Sequence, residues 1–372
     1  MDVNDFFESL EKQYAQQLPF VVYSRPINSI IKCWLQDDNT LHTTENFTES
    51  GFVFAPFNLT EKSILFPKDN CIHTELHVTN LEVKAAETSD IRSNEADKFQ
   101  HIDLVSKGID TIKHGDLEKI VLSRCETKAL KNTNPITIFK RLFNTYKNAM
   151  VYCWYHPKVG LWIGATPELL FKVEGKRLTT ISLAGTQPFQ DNESVKWTTK
   201  EFEEQQIVTD YITKHIKPYT KSVSVSEVET VRAGNLLHLK TRIISVINDE
   251  AQLKPIIEAL HPTPAVCGFP KAESKNFILQ HENYERNYYT GFLGELNLKQ
   301  ATTRNSNRRN VENNAYAVVK TQSNFYVNLR CMQLKDSTAH IYVGGGITKD
   351  SNPEKEWEET VNKAKTIRNI LD

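Results

Sequence analysis

The sequence predicts an α+β fold built on large antiparallel sheets. Two observations carry this reading. Short apolar runs separated by turn-forming residues recur towards both ends of the chain, and helical segments stand between groups of such runs instead of alternating with them one by one.

The elements can be justified in order. The opening MDVNDFFESLEKQYAQQ places Phe6, Phe7, Leu10 and Tyr14 at helical spacing. The runs PFVVYS, IIKCWL, GFVFAPF and SILFP then read as one antiparallel meander. A polar interval from Ala85 to Asp97 ends it. A helix over Phe99 to His114, the strand EKIVLSRCETKAL and a helix over Ile136 to Tyr146 follow, then the strands MVYCWYH, LWIGA, ELLFKVEG and RLTTISLAG. A long polar helix over Ser194 to His215 separates these from SVSVSEVETV, YTGFLGELN, NFYVNLRCMQL and HIYVGGG. The Arg/Asn-rich stretch 299–314, KQATTRNSNRRNVENN, reads as a mobile loop because strand patterns resume on both sides. The last helix starts either from a Ser351/Glu354 capping box or from Asn352 as N-cap with Pro353 in the first turn.

Composition limits the partners. A chain of 372 residues, 39% hydrophobic, buries a sizeable core as one large domain or two ordinary ones. With 45 basic against 46 acidic residues it has no global field for nucleic acid or an anionic membrane, so a small ligand held by a local site fits better. Six scattered cysteines without CxxC spacing argue against zinc and against a disulfide framework, which suggests a reducing cytoplasm. No apolar run reaches the length of a signal or membrane segment, so a soluble, unprocessed protein is expected.

Two helices repeat one pattern. In the last, Glu356, Glu359 and Lys363 share a face, and in KEFEEQQIV Glu201 and Glu204 lie three apart on another. Two carboxylate pairs suit a hard divalent cation such as Mg²⁺, and four acids converging without one would repel each other. Spacing alone leaves open two unrelated solvated faces. Lys119, Glu168 and Arg330 stand where the strand pattern implies burial. They fit either ordinary gatekeepers at strand edges or a partly buried base and acid usable near neutral pH.

The ordered set KIVLSR, GATPELL, SLAGTQP, KEFEEQQIV, HPTPAVCGFP, YERNYYTGFLGE, YVNLRCMQL and YVGGGITKDSNPEKEWEETVNKA resembles the chorismate-utilising enzymes, and among them isochorismate synthases most. The motifs run in family order from Lys119 to Lys363. The resemblance implies a single α/β/α-layered catalytic domain over 1–372, with large antiparallel sheets flanked by helices. Residues 1–98 would form its N-terminal meander and 99–372 its motif-bearing part. It also implies Lys119 as the base that activates water and Glu168 as the acid that protonates the departing hydroxyl. Glu204 and Glu359 would ligate Mg²⁺ directly, and Glu201 and Glu356 through water. Lys363 would lie near the ring carboxylate, and Arg330 and Tyr342 at the enolpyruvyl side chain. Gly185, Thr186, His238, Ala265, Tyr289, Leu329, Gly344 and Gly346 would complete the substrate site. Gln205 departs from many relatives, which have histidine there.

Within the family, Lys119 sets the chain apart from ammonia-using members, which carry glutamine at that position, so no glutaminase partner is expected. Ala184 of SLAGT stands where aminodeoxychorismate synthases have a nucleophilic lysine. Ala265 stands where salicylate synthases have threonine. The expectation is therefore a monomeric, cytoplasmic, Mg²⁺-dependent isochorismate synthase feeding menaquinone or siderophore synthesis, with salicylate synthase as the alternative. A catalytically silent chorismate-binding protein, the reading from another class, should have lost one of the motif acids or Lys119, and none is missing.

Overall fold

The structure, a computed structural model, describes residues 2–86, 95–131, 133–189, 195–233, 236–302 and 318–372. The chain opens with helix α1 (Val3–Ala15) and strands β1 (Phe20–Ser24), β2 (Ile30–Gln36), β3 (Thr43–Thr44), β4 (Gly51–Ala55), β5 (Ser63–Pro67) and β6 (Cys71–His77). Helix α2 (Glu95–His114), β7 (Lys119–Ala129) and α3 (Pro135–Thr145) precede β8 (Met150–His156), β9 (Gly160–Thr166), β10 (Leu169–Glu174) and β11 (Arg177–Pro188). After α4 (Thr199–Ile216) come β12 (Thr220–Val225), β13 (Glu229–Ala233), β14 (Leu236–Ile247), α5 (Leu253–Leu260), β15 (Gly268–Phe269) and α6 (Lys271–His281). The chain ends with β16 (Phe292–Thr302), β17 (Val318–Val327), β18 (Cys331–Lys335), β19 (Thr338–Ile347) and α7 (Pro353–Arg368).

Two large antiparallel sheets result, as the α+β reading requires. In one the order is β15-β7-β19-β18-β9-β8-β1-β2-β6, and in the other β12-β14-β11-β10-β17-β16-β4-β5-β3, with β13 added beside β14. Strands such as β1, β4 and β8 are buried on both faces, which explains why they read as unbroken apolar runs. In β1, Phe20 and Val22 pack with Phe6 and Leu10 of α1, Phe139 of α3 and Ile367 of α7. Their neighbours Val21 and Tyr23 turn the other way, onto Phe52, Phe54 and Phe66 of the second sheet. The aromatic pair Phe54 and Trp154, with ring centroids 4.7 Å apart, spans that inner face. On the far side Phe171, Leu178, Ile243 and Phe325 meet Val208 and Ile212 of α4 and Ile256 of α5. The layers therefore run helices, sheet, sheet, helices, the central layer being two sheets packed face to face.

Three sequence expectations are corrected. The N-terminal runs do not form one meander: β1 and β2 pair in the first sheet, whereas β4 and β5 pair in the second. SVSVSEVETV is two strands, β12 and β13, each paired to β14. NFYVNLRCMQL is also two strands, and the chain passes from the second sheet to the first between them, at Asn328–Arg330. Of the stretch 299–314, Lys299 to Thr302 continue β16 in register with β17, and residues 303–314 lie outside the described residues. The same holds for 87–94 of the polar interval, after which α2 starts at Glu95. Among the described residues no helix is long and apolar enough to cross a membrane, and all six cysteines are free thiols.

Two helices that carry candidate site residues are held by specific contacts. At the start of α7 the Asn352 side chain accepts a hydrogen bond from the Lys355 N–H at 3.1 Å, with Pro353 in the first turn, which decides between the two cap readings. Its buried face is anchored by Arg124 of β7, whose Nε donates to Thr360 Oγ1 at 2.9 Å and whose guanidinium lies 4.3 Å from the Trp357 ring centroid. Helix α4 is docked by Gln205. Its amide donates to Ser182 O of β11 at 3.1 Å and to Thr241 Oγ1 of β14 at 3.0 Å, so this side chain ties the helix to the sheet.

Candidate active site

A cleft of about 1070 Å³, its open mouth included, lies where β7, β19, β11, α4 and α7 converge. Each wall follows from local structure. Lys119 begins β7, where Phe269 and Gly268 of β15 pair with Lys119 and Ile120, and Ser274 Oγ donates to Lys119 O at 3.0 Å. The lysine is 1% exposed, and its Nζ stands 2.7 Å from Glu204 Oε1 on α4.

The triple glycine closes the opposite edge of β7, with Gly344, Gly345 and Gly346 in register with Ser123, Leu122 and Val121. A Cβ on Gly344 would lie 2.8 Å from Leu122 O and 3.0 Å from Tyr289 Oη, and one on Gly346 would lie 2.9 Å from Glu204 Oε1. Side chains there would displace the groups that line the cleft. A Cβ on Gly345 would stand 3.5 Å from Glu356 Oε2 and 3.8 Å from Glu359 Oε1. The missing side chains thus leave a cradle into which three carboxylates from α4 and α7 project.

On α7, Lys363 Nζ contacts Glu359 Oε1 at 2.5 Å and donates to Gly344 O at 2.9 Å. Glu356 is buried, while Glu354 on another face pairs with Lys98 of α2 at 3.1 Å. Glu201 lines the cleft but also caps its own helix: its Oε2 accepts from the Thr198 N–H at 2.8 Å and from the Thr198 hydroxyl. Partial burial works against the charged form of Glu201, but these bonds outweigh it and hold the pKa below the usual range.

Glu168 stands in the turn between β9 and β10, half-buried and facing the cleft. Desolvation by the surrounding protein pushes its pKa up to about 7, against the opposing pull of Lys119, Lys363 and Arg330. Arg330, in the left-handed region at φ 47°, occupies the passage between the two sheets, and its Nη1 donates to Thr366 Oγ1 of α7 at 3.1 Å. Tyr342 stacks between Trp162 and Tyr289, with centroids at 5.3 and 5.4 Å. A bulge in β11 puts Gly185 at φ 69°, and its carbonyl accepts a hydrogen bond from His238 Nδ1 at 3.0 Å. Burial first, and then the Arg330 charge, push the His238 pKa down to about 4, so its imidazole is neutral near pH 7.

The cleft brings together Lys119, Glu168, Gly185, Glu201, Glu204, His238, Ala265, Tyr289, Leu329, Arg330, Tyr342, Gly344, Gly346, Glu356, Glu359 and Lys363. Of Thr186 only the backbone, in β11, belongs to the described residues. Sequence reading missed Val121, Pro167, Leu183, Val266, Thr290, Val343 and Gly345 in the lining. Gly345 was findable from its place between two glycines already singled out, whereas the others carry no chemical signal of their own.

The electrostatics of the cleft are unbalanced. Among the described lining residues four carboxylates (Glu201, Glu204, Glu356, Glu359) and the carboxyl group of Glu168 face three basic side chains (Lys119, Arg330, Lys363). An anionic ligand would need added positive charge. The oxygen-only donor set around Gly345 and Gly346 fits a hard divalent cation, while no group of three or more ligating side chains is preassembled among the described residues.

The raised pKa of Glu168 has a consequence for stability. Between about pH 4.5 and 7 the folded state keeps a proton that the unfolded state has lost, so stability falls as pH rises through that window. Glu168→Gln removes the penalty. At pH 8 the variant is expected to be more stable than the parent by on the order of 2 kcal/mol, with little difference below pH 4, as read from urea unfolding at both pH values. A variant less stable at pH 8 would show that the buried carboxyl carries no such cost.

Comparisons with known proteins agree with the fold. Residues 60–303 match the family described as "Chorismate binding enzyme", and residues 315–369 match a second family description, "chorismate binding enzyme". The isochorismate synthase MenF of Pasteurella multocida is 29% identical over 317 residues, 81% of this chain and 68% of that protein. A salicylate biosynthesis isochorismate synthase of Pseudomonas aeruginosa is 25% identical over 276 residues, 72% of this chain and 53% of that protein. Among solved structures, MenF of Escherichia coli, a menaquinone-specific isochorismate synthase, superposes with a TM-score of 0.76 at 21% identity, covering 95% of this chain and 89% of that one.

Proposed function

Since the chain belongs to the chorismate-binding enzymes, we propose that it isomerises chorismate to isochorismate, water adding at C2 of the ring as the C4 hydroxyl leaves. The observation that carries this reading is a single cleft holding Lys119 together with a carboxyl group, Glu168, whose pKa stands at about 7. A base and an acid usable at neutral pH are what the exchange of one ring hydroxyl for another requires.

In this reading Lys119 takes a proton from the attacking water. Glu168, protonated, gives one to the C4 hydroxyl, which departs as water while the double bonds shift. Both groups then return to their starting states by exchange with solvent. Arg330 grips the enolpyruvyl carboxylate, for which a guanidinium offers paired donors, and Tyr342 and Tyr289 supply an apolar wall beside it. Lys363 and the Gly344 to Gly346 backbone hold the ring end.

Glu204 and Glu359 would bind Mg²⁺ directly, with Glu356 and the already hydrogen-bonded Glu201 reaching it through water. When bound, the ion would supply the positive charge that a dianionic substrate needs among four carboxylates. The reading also places the enzyme in the cytoplasm, acting without a glutaminase subunit and as a monomer. It leaves the product to enter either menaquinone or siderophore synthesis.

The deciding experiment is chromatography of chorismate incubated with the protein and Mg²⁺ near pH 7, with no lyase added. An equilibrating mixture of chorismate and isochorismate is expected, and Ala265→Thr should raise the salicylate fraction while slowing the first step. Elimination of pyruvate from isochorismate needs only a pocket that holds the side chain over the ring, so pocket shape decides where the reaction stops. Salicylate and pyruvate as the main early products of the parent would instead assign a salicylate synthase. No turnover at all would mean a silent binding protein.

A further inference from the structure

We propose that Arg286, which does not line the cleft, is the residue that holds three of its walls in register. The proposal rests on the chorismate-isomerising reading only for its kinetic readout. Arg286 lies beyond the C-terminus of α6 and is 4% exposed. Its Nη2 donates to Val121 O at 2.7 Å and its Nη1 to Val266 O at 3.0 Å and to Thr290 Oγ1 at 3.3 Å. The remaining donors go to Glu282: Nε to Oε2 at 2.8 Å and Nη2 to Oε1 at 2.6 Å. All five N–H groups of the guanidinium are therefore engaged, the most the side chain can do. Glu282 is tied in turn to β7, since its Oε1 accepts from Ser123 N at 2.8 Å and Ser123 Oγ at 2.7 Å. The Phe57 ring covers the cation at 4.8 Å.

The three segments bound by Arg286 carry separate parts of the candidate site. Val121 is two residues from Lys119 on β7. Val266 follows Ala265, and Thr290 follows Tyr289, and all four line the cleft. Val121 is distant in sequence and Val266 is twenty residues away, and the planar fork joins their carbonyls to the nearby Thr290 hydroxyl in one fixed geometry. A buried ion pair of this kind is poor evidence for stability, because apolar side chains of similar volume often serve as well or better. Here it fixes relative position, and a misplacement of about 1 Å at a reacting group can cost on the order of 10²-fold in rate.

Two variants test this. Arg286→Lys keeps the charge but has three donors on a flexible stem, too few for the five bonds the guanidinium makes to the three segments and Glu282. The double variant Glu282→Gln with Arg286→Met removes both charges and leaves neither stranded. Both are expected to unfold cooperatively near the parent midpoint while kcat falls about 10- to 100-fold and KM for chorismate moves less than about threefold. Amide exchange followed by mass spectrometry should show faster exchange confined to peptides covering 119–123, 263–268 and 288–292. Parent-like kcat in the double variant, or parent-like exchange in those three peptides, would overturn the proposal. So would loss of protection spread over the whole chain in both variants, which would make Arg286 a stability residue only. A parent inactive on chorismate would sink the functional reading, and the exchange pattern would still decide the role of Arg286.

Discussion

Lys119→Ala is expected to lower kcat for chorismate isomerisation by about 10²–10⁴-fold, with substrate affinity changed far less, because it removes the base proposed to activate water. Glu168→Gln should fall in the same range from the acid side. The two are separable by pH. Glu168 is competent while protonated, so kcat/KM of the parent should decline as pH rises through about 7, and that limb should be absent from whatever activity Glu168→Gln retains. Initial rates from pH 5.5 to 9 at limiting and saturating chorismate provide the check. Parent-level turnover by Lys119→Ala would require water activation to be assigned elsewhere.

The second large effect is loss of activity in Glu359→Ala and Glu204→Ala, and in the parent after exhaustive chelation. Each substitution removes an oxygen ligand proposed for Mg²⁺ and leaves a dianionic substrate facing the remaining carboxylates. Glu204 is also the ion-pair partner of the buried Lys119, so Glu204→Ala strands an ammonium, and Glu204→Gln, which keeps a hydrogen-bond acceptor, is the gentler companion. Titration calorimetry should show Mg²⁺ binding to the parent, weakened at least tenfold in both Glu359→Ala and Glu204→Gln. Full turnover after chelation, or in Glu359→Ala, would remove the metal from the reading.

Much of this was legible from residue order, and the exceptions have physical causes. The paired acids on α4 and α7 could be placed on single faces because helical spacing fixes which side chains are neighbours. Their convergence could not, since nothing in spacing says that two helices point into one cleft. The glycines announced a close approach without naming what approaches, which proved to be carboxylates at Gly345 and Gly346 and the Tyr289 hydroxyl at Gly344. Strand β14 went unread because Lys240, Thr241 and Arg242 interrupt its apolar residues, although Thr241 is buried as a partner for Gln205. The run at Asn328–Arg330 reads as continuous because the residues on either side of it, Gln322 to Val327 and Cys331 to Met332, are buried on both faces. Only the positive φ of Arg330, invisible in sequence, marks where the chain changes sheets. Arg286 likewise looks like an ordinary polar residue in a loop until its five donors are traced.

The passage of the chain from one sheet to the other bears on how this protein is made. Ala55 pairs with Phe292 in one sheet and Ile120 with Ile347 in the other, so each sheet is closed by strands from opposite thirds of the sequence. Such non-local pairing raises contact order and slows folding, because loop-closure entropy must be overcome before most native contacts form. A nascent chain that has emerged only as far as α6 lacks β16 to β19. It holds β4 and β7 with open edges, a template for pairing with another copy. Synthesis at lower temperature or with a chaperone should therefore raise the yield of the full chain, while truncation before β16 should give aggregate and not a folded fragment.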